Sequence, residues 1–180
     1  MALVEIGGNS PFCGGTLISS RHVLSAAHCT RAIPNFHVVA GEHDFGDDND
    51  GTSYAVEFYY EHPAYDSYTM SHDFVVITLA DSVTLGDVAV HACLPTEEMD
   101  DNYLSGSILT VSGWGRLSEY GDSPLELQTV DVPFIPNTVC DEAYSEFINI
   151  AINEAMICAG NIAEGGVGSC YGDSGGKIYS

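Results

Sequence analysis

The chain has 180 residues, 45% of them hydrophobic, enough to bury a sizeable core without a metal or a second copy. Twenty-six Asp and Glu stand against four Lys and Arg, and the formal charge of -22 repels nucleic acid and anionic lipid and argues against both as partners. No apolar run approaches the roughly 18 residues that a membrane-spanning helix needs.

Strand-like runs recur in chain order at 15–18, 36–40, 54–60, 74–79, 108–112, 127–135 and 156–159, punctuated by Gly, Pro, Asn and Asp. One stretch reads as helix: Asn137 is placed to cap it, Asp141 and Glu142 follow, and Val139, Ala143 and Phe147 recur at a four-residue spacing. A single short helix among strands predicts an all-β barrel or sandwich, in one domain over residues 1–180. The six cysteines, at 13, 29, 93, 140, 158 and 170, lack the paired C-x2-C spacing of a zinc module. They fit a disulfide framework and so an oxidising, secreted setting, although residues 1–5 carry no signal peptide and the start reads as incomplete.

The segment Gly168-Ser169-Cys170-Tyr171-Gly172-Asp173-Ser174-Gly175-Gly176 flanks one serine with glycines, which permit tight turns and close substrate approach. Ser174 is therefore a candidate nucleophile. A serine needs a base to take its proton, and the base needs an acid to fix its tautomer. His28, among small residues in Ser25-Ala26-Ala27-His28-Cys29, supplies the first. Asp73, at the mouth of the apolar run Phe74-Val75-Val76-Ile77, supplies the second. Chain order separates the serine hydrolases: the α/β-hydrolase order needs an acid and a histidine after the serine, and only six residues follow Ser174. The subtilisin order needs an aspartate before the histidine, and the first aspartate is Asp44. The order His, Asp, Ser remains.

With Cys13-Gly14-Gly15-Thr16-Leu17-Ile18, then SAAHC, HDF, SGWG and GDSGG in sequence, nearly the whole chain resembles the chymotrypsin/trypsin family of serine proteases. The resemblance implies a double six-stranded antiparallel β-barrel, here with the second barrel incomplete, and the site between barrels. It implies a serine endopeptidase acting on protein or peptide substrates through an acyl-enzyme, without cofactor or metal. His28 would be general base and acid, Asp73 its orienting group, Ser174 the nucleophile, and the backbone N–H groups of Gly172 and Ser174 the oxyanion hole. Cys13 would pair with Cys29 and Cys140 with Cys158. Cys93 would be free to tether a propeptide or light chain and Cys170 to pair downstream, with a Cys93–Cys170 bond as the alternative. Gly168 would form the floor of the primary specificity pocket, and its neutrality points to cleavage after apolar or aromatic residues.

Other features carry less. Glu42, Asp44, Asp47, Asp48 and Asp50 crowd one loop, but Gly46 stands where an EF-hand needs its first carboxylate and strand formers follow. Some relatives bind calcium in this loop, whereas Thr52 stands near an expected ligand position; a solvated turn is the alternative. His22 and His28 with Cys13 and Cys29 match no common zinc spacing. His62 and His72 read as surface or strand-start positions, and Trp114 as core packing. The chain departs from the family in lacking an Ile-Val-Gly-Gly start, so Asp173 is expected to lie unpaired and its loop to rearrange. Lys177 replaces a usual proline, and 177–180 reads as a foreign tail. An inactive homologue acting as a binding or decoy module is the competing reading, and little activity is expected of the 180 residues alone.

Overall fold

Two faces of one short strand define the architecture. In β5 (Phe36–Ala40) Phe36, Val38 and Ala40 join a core with Leu3, Leu17, Val23, Val75, Ile77 and Leu79. Val39, on the opposite face, joins Ala2, Val4 and Trp114 in a second cluster. This period-two split with apolar residues on both faces is that of a strand covered on both sides. The computed structural model describes residues 1–47, 50–86, 89–94, 106–145 and 151–179, and the first core lies inside a rolled sheet, with the second between that sheet and the rest of the chain.

The rolled sheet comprises β1 (Ala2–Glu5), β2 (Pro11–Gly14), β3 (Thr16–Ser19), β4 (His22–Ser25), β5, β6 (Thr52–Glu61) and β7 (Val75–Leu79), all antiparallel, in the order β2-β1-β5-β6-β7-β4-β3. Its two edges are consecutive in sequence. Only Gly15 separates β2 from β3, and its N–H still donates to Met1 O at 3.1 Å, continuing the ladder to β1 before Thr16 pairs with Leu24 of β4. β2 and β3 are thus halves of one bent strand, and the sheet closes as a six-stranded barrel. A Cβ on Gly15 would lie 2.7 Å from Val23 Cγ1 and 3.1 Å from Leu3 Cδ1, both in the barrel core. The bend needs a residue with no side chain.

A second sheet, in the order β10-β9-β8-β11, joins β8 (Ile108–Gly113), β9 (Gln128–Ile135), β10 (Cys158–Ala159) and β11 (Ile178–Tyr179), all antiparallel. The fold is all-β, one closed barrel with a second, four-stranded half-barrel, as the sequence implies. Trp114 sits where the two meet: its ring is edge-on to Phe45, with centroids 5.3 Å apart, and its indole N–H donates to His43 O at 3.2 Å. Residues 178–179, within the 177–180 segment read from sequence as a foreign tail, pair with Val111 and Thr110 and form an edge strand.

Among the described residues two helices accompany the strands, where sequence predicts one. α1 (Ala27–Ala32) is only six residues long and has no side-chain cap at Ala26. α2 (Asn137–Tyr144) begins with Asn137 inside the helix and Pro136 at the cap position. Asn137 therefore does not cap it. Its side-chain amide donates to Asn153 O at 3.0 Å and Met156 O at 2.9 Å, tying the helix to the following loop. Phe147 lies outside the described residues, as does Asp48.

Gly15→Ala should destabilise the protein by about 1–3 kcal/mol, because the added methyl meets a packed barrel interior. Urea unfolding checks this; an unchanged midpoint would show that the strand bends without needing the space.

Candidate active site

The sequence of α1 supplies no periodicity and little helix drive, and a six-residue helix does not persist alone. Tertiary bonds hold it. Cys29 is disulfide-bonded to Cys13 at the end of β2, and Ala27 and Thr30 are buried against the barrel. His28, between them, projects its ring towards the start of β7. There His72 adopts a left-handed backbone with φ of 55°, the Phe74 N–H donates to His72 O at 2.7 Å, and the His62 N–H donates to Phe74 O at 2.8 Å. The imidazoles of His62 and His72 stack with centroids 4.9 Å apart. This tight turn aims Asp73 back at the helix.

Asp73 Oδ1 accepts the His28 backbone N–H at 2.9 Å, and Oδ2 lies 2.6 Å from His28 Nδ1. One carboxylate therefore fixes the backbone and the ring of the same residue. An ionised acceptor at Nδ1 keeps the proton there and leaves Nε2 as the lone-pair nitrogen. Nε2 lies 3.7 Å from Cys29 Sγ, a van der Waals neighbour, since a disulfide sulfur carries no proton. Both side chains are partly open to solvent, 34% for His28 and 20% for Asp73.

Ser174 arrives from the other side of the molecule, on the loop between β10 and β11. The loop is docked on the bent strand: the Gly14 N–H donates to Ser174 O at 2.7 Å. Gly175, with φ of 75°, adopts a backbone that favours glycine, and a Cβ there would also meet Ala26 N and Gly14 O at 2.8 Å. The loop can come this close only without side chains. Among the described residues the N–H groups of Gly172 and Ser174 make no hydrogen bond, and neither does Ser174 Oγ.

Asp173 is held by neutral donors: the Gly115 N–H donates to Oδ1 at 2.8 Å and the Cys170 N–H to Oδ2 at 2.9 Å, and no cation among the described residues pairs with it. The SGWG segment provides the room, since a Cβ on Gly113 or Gly115 would collide with that carboxylate. Gly168 is exposed and borders two clefts. One, of about 750 Å³, includes Met70, Tyr144 and Ile157 in its lining, and the other, of about 230 Å³, includes Val111 and Asp173. A third cavity, of about 310 Å³ between Met1, Trp114 and Gly172, has none of His28, Asp73 or Ser174 in its lining.

The disulfides are Cys13–Cys29 and Cys140–Cys158, while Cys93 and Cys170 are free and not joined to each other. Cys13, His28 and Cys29 offer atoms within 4.8 Å of one another, yet both sulfurs are in the disulfide and present no thiolate to a metal. In the acidic loop Asp50 accepts the N–H groups of His43 and Asp44 at 2.9 Å each and of Gly51 at 3.1 Å. These bonds, that from Asp44 foremost, hold its carboxyl below the usual range. Burial first, then the charge of Asp50, pushes Glu42 up. Sequence reasoning missed Thr30 and Arg31 of α1 and Glu61 of β6, whose contacts span some thirty residues and leave no local pattern.

Gly115→Ala should dislodge Asp173 and speed amide hydrogen exchange across residues 170–176, with little change in the barrel strands. Unaltered exchange in that loop would show that the carboxylate does not hold it.

The Trypsin family model matches residues 1–179. Trypsin 5G1 of Aedes aegypti is 36% identical over 174 residues, covering 95% of this chain and 62% of its own length. Venom serine protease Bi-VSP of Bombus ignitus is 35% identical over 170 residues, covering 92% and 47%, and Trypsin-10 of Gadus morhua is 35% identical over 177 residues, covering 97% and 68%. The chain thus spans from about half to two thirds of these relatives. With the closed barrel, the second sheet and five ordered motifs inside one family match, the chain belongs to the trypsin family.

Proposed function

We propose that the chain carries the catalytic residues of a serine endopeptidase that hydrolyses peptide bonds through an acyl-enzyme. The observation that carries the reading is the 2.6 Å bond between His28 Nδ1 and Asp73 Oδ2, which leaves Nε2 ready to accept a proton. His28 Nε2 takes the Ser174 hydroxyl proton as Oγ bonds to the substrate carbonyl carbon. The carbonyl electrons move onto oxygen, and the N–H groups of Gly172 and Ser174 stabilise that oxyanion, at about 3 kcal/mol for each donor. The imidazolium, stabilised by Asp73, then gives its proton to the leaving amine, and the carbonyl re-forms as the acyl-enzyme. Water, deprotonated by His28, releases the acid product and restores Ser174.

Gly168 would place a neutral floor under the side chain preceding the cleaved bond, favouring apolar or aromatic residues. Two disulfides fit a secreted protein. No helix among the described residues is long and apolar enough to cross a membrane. Cys93, exposed and free, would serve as the tether to a propeptide or light chain.

A second reading, an inactive homologue acting as a binding or decoy module, is favoured by one observation: Ser174 Oγ makes no hydrogen bond to His28 among the described residues. Hydrogen bonds of this kind often tighten only with substrate, which keeps the protease reading first.

A fluorophosphonate probe should label the chain at Ser174. Ser174→Ala should abolish labelling, and Asp73→Asn should slow it by about 10⁴-fold, the size of effect in the family's prototype triad. A folded wild-type chain that takes no label would instead favour the decoy.

A further inference from the structure

Besides the Cys13–Cys29 disulfide, the His28 helix is held by two carboxylates, and only Asp73 belongs to the pair described above. At its far side Glu61, the last residue of β6, faces two residues of α1. Arg31 reaches Oε2 with Nε at 2.9 Å and a terminal nitrogen at 2.8 Å, and the Thr30 hydroxyl, with one proton to give, lies 2.9 Å from Ala27 O and 3.2 Å from Glu61 Oε1. The Arg31 guanidinium lies 5.0 Å over the Tyr65 ring. Burial, then the charge of Asp73, raises the Tyr65 phenol, so this ring feels both anchors of the helix.

Register makes these contacts more than a surface pair. Glu61 stands opposite Val75 in the β6–β7 ladder, and Val75 follows Asp73 by two residues. Both carboxylates therefore occupy the same end of one hairpin, Asp73 gripping the first turn of α1 and Glu61 the next. An ion pair as open as this one, with Arg31 54% exposed, adds little to folding stability. Its geometry has a different consequence: a six-residue helix fixed at two points on one hairpin cannot rotate about either.

We propose that Glu61, acting through Thr30 and Arg31, is a positioning residue that sets the orientation of α1 and so holds the His28 ring in line with Asp73. The geometric claim is independent of the protease reading; its catalytic consequence rests on that reading.

The test uses the whole chain with Glu61→Ala, Glu61→Gln and Arg31→Ala, and Asp73→Asn as reference. Two quantities are measured well below the unfolding temperature: the low-field proton resonance of the His28 Nδ1–H bond to Asp73, and the rate of fluorophosphonate labelling at Ser174. Glu61→Ala should broaden or shift the resonance and slow labelling about tenfold, as misplacement of a catalytic group does. Glu61→Gln, which keeps the acceptor for Thr30, should recover part of both. An unchanged resonance in Glu61→Ala, even with a lower melting temperature, overturns the proposal. If that variant does not fold, an unchanged resonance in both Glu61→Gln and Arg31→Ala overturns it equally. A wild-type chain that shows the resonance but takes no label contradicts the protease reading alone, and the resonance still decides the role of Glu61.

Discussion

At residues 13–15 three constraints meet on consecutive positions. Gly15 bends one strand so that it pairs with β1 before the bend and β4 after it, closing the barrel. Gly14 gives its N–H to Ser174 O, and a Cβ there would come within 2.7 Å of Gly176 Cα. Cys13 ties β2 to Cys29, the neighbour of His28 in α1. The strand that completes the barrel thus also sets the separation between the histidine helix and the serine loop. A disulfide closing a loop of this size contributes about 3 kcal/mol through the unfolded chain. Its second effect is positional, since neither the short helix nor the glycine loop has a core of its own.

A chain with 26 acids and four Lys and Arg cannot neutralise its carboxylates with cations. The cations it has are engaged locally: Arg21 with Glu57, Arg31 with Glu61, Arg116 over Tyr171 and Lys177 over Tyr179. Backbone N–H groups do much of the remaining work. They hold Asp173 through Gly115 and Cys170, Asp73 through His28, Asp50 through its own loop, and Asp66 through Tyr68. For Asp50 and Asp66 these bonds lower the carboxyl below its ordinary value. A folded-state pKa below the unfolded one gives stability that is present at neutral pH and lost as pH falls through the carboxylate range. At Asp50 and Asp66 the backbone bonds to the ionised carboxylate therefore favour the folded loop at neutral pH.

The sequence made the long elements legible because their patterns are local. β5, β7, β8 and β9 show strand periodicity, and the five motifs fixed the order His28, Asp73, Ser174. What escaped was short or non-local. β2, β4 and β11 span two to four residues each, too few for alternation to register. α1 has no cap and no period, and forms because tertiary bonds hold it. The cap assignment to Asn137 failed for a related reason, as its side chain finds better partners in the 153–156 loop. Asp173 was expected to lie unpaired for want of an N-terminal ammonium; its neutral donors, the N–H groups of Gly115, some sixty residues earlier, and of Cys170, were not legible because backbone N–H groups carry no sequence signal.

The proposed mechanism requires this frame to present Ser174, the His28 imidazole and the N–H groups of Gly172 and Ser174 to one reacting carbonyl. A crystal structure of the chain phosphonylated on Ser174 tests it most directly. One phosphoryl oxygen should lie about 3 Å from the N–H groups of both Gly172 and Ser174, with His28 Nε2 facing Oγ and the bond from Nδ1 to Asp73 intact. A phosphoryl oxygen turned away from those groups, or a His28 ring that has left Asp73, would contradict it.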